Sequence, residues 1–228
     1  MRYPYLLFDA DNTLFDFDAA EENAHRLLCE TFGLRFSPEG YRLYHRCNAE
    51  LWRDFDRGLC TKEFLLVERF RRYLALTGEQ GDPELLNREH LRALGEGAIL
   101  LPGAEALCRK LAGAHRLYLL TNAVESVQCT RFARSAIAPF FQDVFISEAI
   151  GCGKPSVEYF DYVFKAVPGL TRHNCLLIGD SLSSDIQGAN NAGIPCCWFN
   201  PGGLPRPEGL RIDYEARSLE EVGLIAGQ

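Results

Sequence analysis

Tyr5-Leu6-Leu7-Phe8-Asp9-Ala10-Asp11-Asn12-Thr13 is the stretch that decides how this chain is built. Four consecutive apolar residues read as a short strand buried on both faces, the mark of a parallel sheet covered by helices. Two carboxylates follow at its mouth, where packing gives no reason for them. Charged groups are rarely buried unless they are paired or hold a metal. Residues two apart on a strand point the same way, so Asp9 and Asp11 can serve one site, one as nucleophile and one as acid/base. Taken alone, the pattern reads equally well as a solvated acidic turn.

Outward from this strand, further short apolar runs occur at Leu117–Leu120, Val144–Ile146, Leu176–Ile178 and Cys196–Phe199. Helical stretches at about 103–113, 124–136, 156–167 and 183–192 alternate with them. Such alternation predicts a doubly wound α/β fold with a parallel sheet. Residues 17–97 break the pattern and read as four helices, roughly 18–32, 38–56, 61–77 and 82–95. Ser37-Pro38 and Asp82-Pro83 are helix starts, and Gly33, Gly58 and Gly78 are stops. Phe64, Leu65, Phe70 and Leu74 recur at helical spacing and read as core. The expected domains are therefore a core of residues 1–16 and 98–228 and an all-helical insertion of residues 17–97, placed after the first strand where it can act as a lid.

Composition narrows the function classes. The 228 residues are 47% hydrophobic and 24% charged, enough for a full core in a soluble protein. The net charge of −7 argues against binding nucleic-acid polymers or anionic membranes, but not against a small phosphorylated substrate. The nine cysteines show no zinc spacing and read mostly as small buried hydrophobes, consistent with a reducing cytoplasm. No secretory signal or membrane-spanning run is expected.

Four segments carry the candidate chemistry: Asp9-x-Asp11-x-Thr13, Thr121-Asn122, Gly153-Lys154-Pro155, and Gly179-Asp180-Ser181-Leu182-Ser183-Ser184-Asp185. In a doubly wound sheet they gather at the carboxyl edge of the strands. Asp9 can attack phosphorus, and Asp11 can protonate the leaving oxygen and then take a proton from water. Asp9 and Asp180 can hold Mg²⁺, a hard cation that prefers oxygen ligands. The Thr121 hydroxyl and the Asn122 backbone N–H can donate to phosphate, Lys154 can add positive charge, and Asp185 can orient Lys154 or bind the metal through water. Each segment also has a plain structural reading: Thr121-Asn122 as a capped turn, Gly179-Asp180 as a strand-to-helix turn, Asp185 as a helix-start carboxylate.

Taken together and in this order, the four segments resemble the motifs of the haloacid dehalogenase (HAD) superfamily, and the helical insertion resembles its type 1 cap. The resemblance implies a HAD-like Rossmannoid core, Asp9 as nucleophile, Asp11 as general acid/base and Thr121 and Lys154 as phosphate ligands. It implies Mg²⁺ held by Asp9, Asp180 and the Asp11 carbonyl, with Asp185 and Ser181 in support. Dehalogenases of the superfamily lack the second aspartate, so Asp11 points to a phosphatase.

A narrower likeness extends over most of the chain. Phe8–Asp18, Gly179–Gly193, Cys197–Pro201, Tyr214–Glu221 and, in the insertion, Leu51-Trp52, Gly58 and Arg69-Phe70 are similar to the noncanonical pyrimidine nucleotidases. Gly151-Cys152-Gly153 before Lys154 and Ser156 after Pro155 depart from that pattern. The resemblance implies a 5′-nucleotidase acting on UMP, dUMP and dTMP. Substrate choice is expected in the insertion and in the turn after the first motif, where Phe15, Phe17, Trp52 and Arg69 are candidates for a surface that reads the base, although aromatic residues on helical faces are more often core. Two alternatives stay open at this point: a phosphatase for phosphoglycolate or a sugar phosphate (or a phosphomutase), and a non-catalytic phospho-acceptor module.

Overall fold

The computed structural model describes residues 2–227. They form two compact units, Met1–Phe17 with Ala98–Gln228, and Asp18–Gly97. The first is built on strands β1 (Tyr5–Phe8), β2 (Arg116–Thr121), β3 (Phe141–Ile146), β4 (Cys175–Gly179), β5 (Cys196–Phe199) and β6 (Tyr214–Ala216). All pair in parallel, in the order β3-β2-β1-β4-β5-β6. The chain thus winds one way from β1 through β2 to β3, then returns beside β1 and winds the other way.

The second unit holds helices α1 (Phe17–Phe32), α2 (Pro38–Asp56), α3 (Lys62–Thr77) and α4 (Pro83–Glu96). Local chemistry sets their ends. Ser37, Thr61 and Asp82 accept hydrogen bonds from backbone N–H groups of the first turns of α2, α3 and α4, and Gly78 closes α3 at φ +74°, a left-handed conformation that glycine adopts without steric cost. Leu28, Tyr44, Phe70, Tyr73, Leu74 and Leu86 make its apolar centre. Phe64 departs from its expected core position: it is exposed, because the inward face of α3 runs through Leu65, Arg69, Phe70 and Tyr73.

The sheet unit carries α5 (Ala104–Ala112), α6 (Glu125–Ala133), α7 (Ser147–Ile150), α8 (Val157–Ala166), α9 (Gln187–Ala192) and α10 (Leu219–Ala226). Strand side chains alternate between its two faces. Leu6, Phe8, Leu117, Leu119, Leu176 and Ile178 pack with Leu107 and Leu111 of α5 and Val222 of α10. Tyr5, Leu7, Tyr118, Leu120 and Leu177 pack with Tyr159, Phe160 and Val163 of α8 and Ala189 of α9. With both faces covered, the inner strands need no polar positions, which is why they read as unbroken apolar runs.

Three local expectations change. β6 and α10 had no counterpart in the strand and helix pattern, since Tyr214-Glu215-Ala216 is too short and too polar to stand out. The helix expected at 124–136 ends at Ala133. The helix expected at 183–192 opens as a π-helical turn, Leu182–Ile186, before α9, with Ile186 N–H reaching back five residues to the Ser181 carbonyl. Such turns often sit at functional sites. Among the described residues, no helix is long and apolar enough to cross a membrane.

Candidate active site

Phe8 lies opposite Leu119 of β2 and Ile178 of β4, so Asp9 emerges level with Leu120 and Gly179, where the sheet order reverses. In open α/β sheets this switch point is where ligands bind. The Asp9 N–H donates to the Ile178 carbonyl at 2.8 Å, and the chain then turns sharply, with Leu14 and Phe15 N–H both donating to the Ala10 carbonyl. Asn12 takes φ +56°, which asparagine tolerates better than most residues, and its Oδ1 accepts from Phe17 N–H at 3.1 Å. The resulting loop leaves Asp9 only 8% exposed.

Lys154 is the centre of the charge arrangement. It is 3% exposed, and its ammonium donates to Asp9 Oδ1 at 2.6 Å, Asp185 Oδ1 at 2.7 Å and the Leu120 carbonyl at 2.8 Å, using all three donors. Burial works against the charge, but Asp185 and Asp9 outweigh it and raise the Lys154 pKa above the usual lysine value. Asn122 holds the Lys154 backbone from both sides: its Oδ1 accepts from Lys154 N–H and its Nδ2 donates to the Lys154 carbonyl. Gly153 allows this approach, since a Cβ there would sit 2.5 Å from Asn122 Oδ1. The Thr121 side chain, buried at the end of β2, accepts from Ala123 N–H at 3.0 Å.

Asp180 follows β4. The Trp198 indole of β5 donates to its carbonyl at 2.9 Å, and Thr13 Oγ1 donates to its Oδ1 at 3.4 Å. Asp185, on the π-helical turn, folds its Oδ2 back onto Ser181 N–H at 3.0 Å. It lies so close over Gly179 that any Cβ at 179 would collide with its carboxylate. Oxygens of Asp9, Asp180 and Asp185 lie within 4.8 Å of one another. Burial and the charges of Asp9 and Asp185 push the Asp180 carboxyl well above its ordinary range. Burial pushes Asp185 up to about 7, against the pull of Lys154. An oxygen-only donor set with crowded negative charge suits a hard cation such as Mg²⁺, which would relieve that repulsion.

The Asp11 carboxylate stands apart from this trio and meets a residue that the four motifs do not contain. Arg131 of α6, 1% exposed, brings Nη2 to 2.5 Å from Asp11 Oδ1. This is a close charge contact rather than an aligned hydrogen bond, since Asp11 Oδ1 has no aligned donor among the described residues. Nη2 also donates to Gln128 Oε1 at 2.5 Å, and the guanidinium lies 4.6 Å from the Phe15 ring centroid. Burial raises the Asp11 pKa and Asp9 adds to the rise, while Arg131 opposes it. A sequence signal for Arg131 does exist: Val127, Gln128 and Arg131 share the buried face of α6, and two of the three are polar.

The four candidates for reading a base fall differently. Phe15 is buried, with Arg131 against its ring, and joins the sheet core because its backbone bridges Asp11 and Leu100. Arg69 is 1% exposed and committed within the helical unit: it donates to Asn48 Oδ1, Asn87 Oδ1 and the Leu66 carbonyl, while Asn48 donates to buried Glu21. Their burial counts against direct substrate contact and favours the core reading. Phe17 and Trp52 are half-buried. Trp52 stands edge-on to Phe55, with the Lys62 ammonium 5.9 Å from its ring centroid. Six of the nine cysteines are buried, and all nine are free thiols.

Residues 3–193 match a family model described as haloacid dehalogenase-like hydrolase. The chain belongs to that hydrolase family. It is 40% identical to the HAD-hydrolase YfnB of Bacillus subtilis, over 97% of this chain and 94% of that one. A crystal structure of YfnB bound to magnesium superposes with a TM-score of 0.96 at 39% identity, covering 100% of both chains. The pyrimidine 5′-nucleotidase PynA of Streptococcus pneumoniae is 35% identical over 97% of this chain and 94% of its own length. The pyrimidine 5′-nucleotidase YjjG of Escherichia coli is 31% identical over 97% of each.

Proposed function

We propose that this protein is a Mg²⁺-dependent phosphomonoesterase, specifically a pyrimidine 5′-nucleotidase working through an aspartyl phosphate on Asp9. The observation that carries the phosphatase reading is the Lys154 ammonium, which binds Asp9 and Asp185 together at the sheet's switch point. A carboxylate held by one oxygen against a fixed cation is oriented for attack without a rotational search.

In this reading Asp9 attacks phosphorus and the ester oxygen leaves with a proton from Asp11. Burial raises the Asp11 pKa above the ordinary carboxylate value, the direction that an acid role calls for. Water then attacks the phosphorus of the aspartyl phosphate, gives its proton to Asp11 and frees both Asp9 and inorganic phosphate. The Thr121 hydroxyl donates to a phosphoryl oxygen, and the fixed Lys154 charge beside Asp9 offsets the negative charge of the phosphate. Asp9, Asp180 and the Asp11 carbonyl would hold Mg²⁺, with Asp185 and Ser181 supporting; when bound, the ion supplies positive charge against the carboxylates and the phosphate dianion. The substrate is a small phosphorylated metabolite. The pyrimidine assignment draws on the full-length likeness to PynA and YjjG, and Phe17 and Trp52 are kept as candidates for contact with the base.

The test is phosphate release with Mg²⁺ from UMP, dUMP, dTMP, CMP, AMP, phosphoglycolate and glucose 6-phosphate, with EDTA and Asp9→Asn controls. Selective release from uridine and thymidine monophosphates, lost in both controls, is expected. Preference for phosphoglycolate or the sugar phosphate would keep the mechanism and discard the nucleotidase assignment.

A further inference from the structure

A buried arginine beside a catalytic carboxylate needs a reason. Arg131 lies on the inward face of α6, where a helix that merely packed would carry an aliphatic residue. Every partner it has among the described residues belongs to one small group: Asp11 Oδ1 and Gln128 Oε1, both at 2.5 Å from Nη2, and the Phe15 ring at 4.6 Å. Its Nε and Nη1, and the Nε2 of Gln128, have no hydrogen-bond partner there. Donors left without partners inside a protein are costly, so the guanidinium's place is not explained by a saturated structural network. Gln128 and Phe15 fix the guanidinium from one side and from its face, and the one anion it meets among the described residues is Asp11.

We propose that Arg131 is a positioning residue that sets the orientation of the Asp11 carboxylate. The proposal rests on the phosphatase reading for its kinetic consequence, though not for its structural one. Asp11 sits in a loop that turns sharply after Ala10, and its side-chain direction is not imposed by a strand ladder. A planar guanidinium anchored by Gln128 supplies the missing constraint. Since Arg131 comes from α6, which follows β2, it couples the loop after the first strand to the segment that carries Thr121 and Asn122. Misplacing an acid/base group by about 1 Å can cost on the order of 100-fold in rate.

The experiment pairs crystallography with kinetics on the full-length protein carrying Arg131→Met, Arg131→Lys or Gln128→Leu. In Arg131→Met, the Asp11 side chain is expected to adopt a different rotamer. Its kcat on whichever ester the wild type hydrolyses should fall by about 10- to 100-fold, with KM changed less than about threefold. Arg131→Lys keeps the charge but loses the guanidinium that Gln128 and the Phe15 ring hold in place, and should stay impaired. Added to Asp11→Asn, Arg131→Met should cause no further loss, because both act through one carboxylate. An unmoved Asp11 carboxylate, full activity in Arg131→Lys, or losses that multiply in the double variant would overturn the proposal. If Arg131→Met does not fold, Gln128→Leu makes the same comparison, with a smaller shift and loss expected. If the wild type hydrolyses no ester, the phosphatase reading fails by itself, and the position of Asp11 in the variants still decides the role of Arg131.

Discussion

Replacing Lys154 with methionine should destabilise the metal-free protein strongly, and more so in alkali than in acid. Methionine fills most of the space of the lysine stem but removes the ammonium that donates to Asp9, Asp185 and the Leu120 carbonyl. Asp185 is fully buried and Asp9 nearly so, with Asp180 within reach of both. Removing one partner of a buried ion pair costs about 3–5 kcal/mol, which is about two to three and a half decades in the unfolding constant. The pH dependence follows from Asp185. Its folded-state pKa of about 7 lies above the ordinary carboxylate value of 3.8, so between these limits the folded state binds the extra proton. Folded stability from this group is therefore present at acid pH and falls as pH rises towards 7. Without Lys154 the folded pKa rises further, so the loss continues to higher pH at a slope set by one proton. Urea denaturation in EDTA, followed by the fluorescence of Trp52 and Trp198, measures this at pH 5 and pH 8. The penalty should reach the full range at pH 8 and be smaller by up to about 1.4 kcal/mol at pH 5, the worth of one proton over the one pH unit above 7. A variant within about 1 kcal/mol of wild type at pH 8, or a penalty that grows towards acid, would refute the reasoning.

Other outcomes follow from the same geometry. Asp9→Asn should abolish phosphate release while leaving the far-ultraviolet circular dichroism unchanged, and measurable turnover would remove Asp9 as nucleophile. Gly179→Ala should displace the Asp185 carboxylate and destabilise the fold by about 1–3 kcal/mol, read from the urea midpoint. Mg²⁺ should raise the melting temperature of the wild type more at pH 8 than at pH 5, since the carboxylates must shed protons to bind it, and calorimetry should record that proton release. Arg69→Met should leave Asn48 and Asn87 without their donor inside the helical unit and lower stability by about 2–4 kcal/mol, without any need for a change in phosphate affinity.

Much of the site was legible because it depends on local rules. A strand buried on both faces must be apolar along its length, so the first polar residue after each run marks the sheet's carboxyl edge. Asp9, Thr121 and Asp180 are all found this way, and the parallel order of the strands brings them together. Helix ends in the insertion were equally local: Ser37, Asp82 and Gly78 carry their capping chemistry within three residues of the backbone groups they satisfy. What the chain order could not disclose was which side chains at these strand ends would be used by one another. The sequence offers Asn122 as a phosphate ligand through its N–H, yet its side-chain amide also brackets the peptide of Lys154, 32 residues on. Phe15 and Arg69 were candidates for a base-reading surface, but burial is a property of the packed unit and not of the residue type. Arg131 shows in the sequence only as a polar residue at helical spacing from Val127 and Gln128; its partner lies 120 residues earlier, and only the packing of α6 against the loop after β1 brings them together. The order of residues shows where charge can stand in this fold; only packing selects which charges meet, because desolvation makes a buried ion's partner obligatory without saying from which part of the chain it must come.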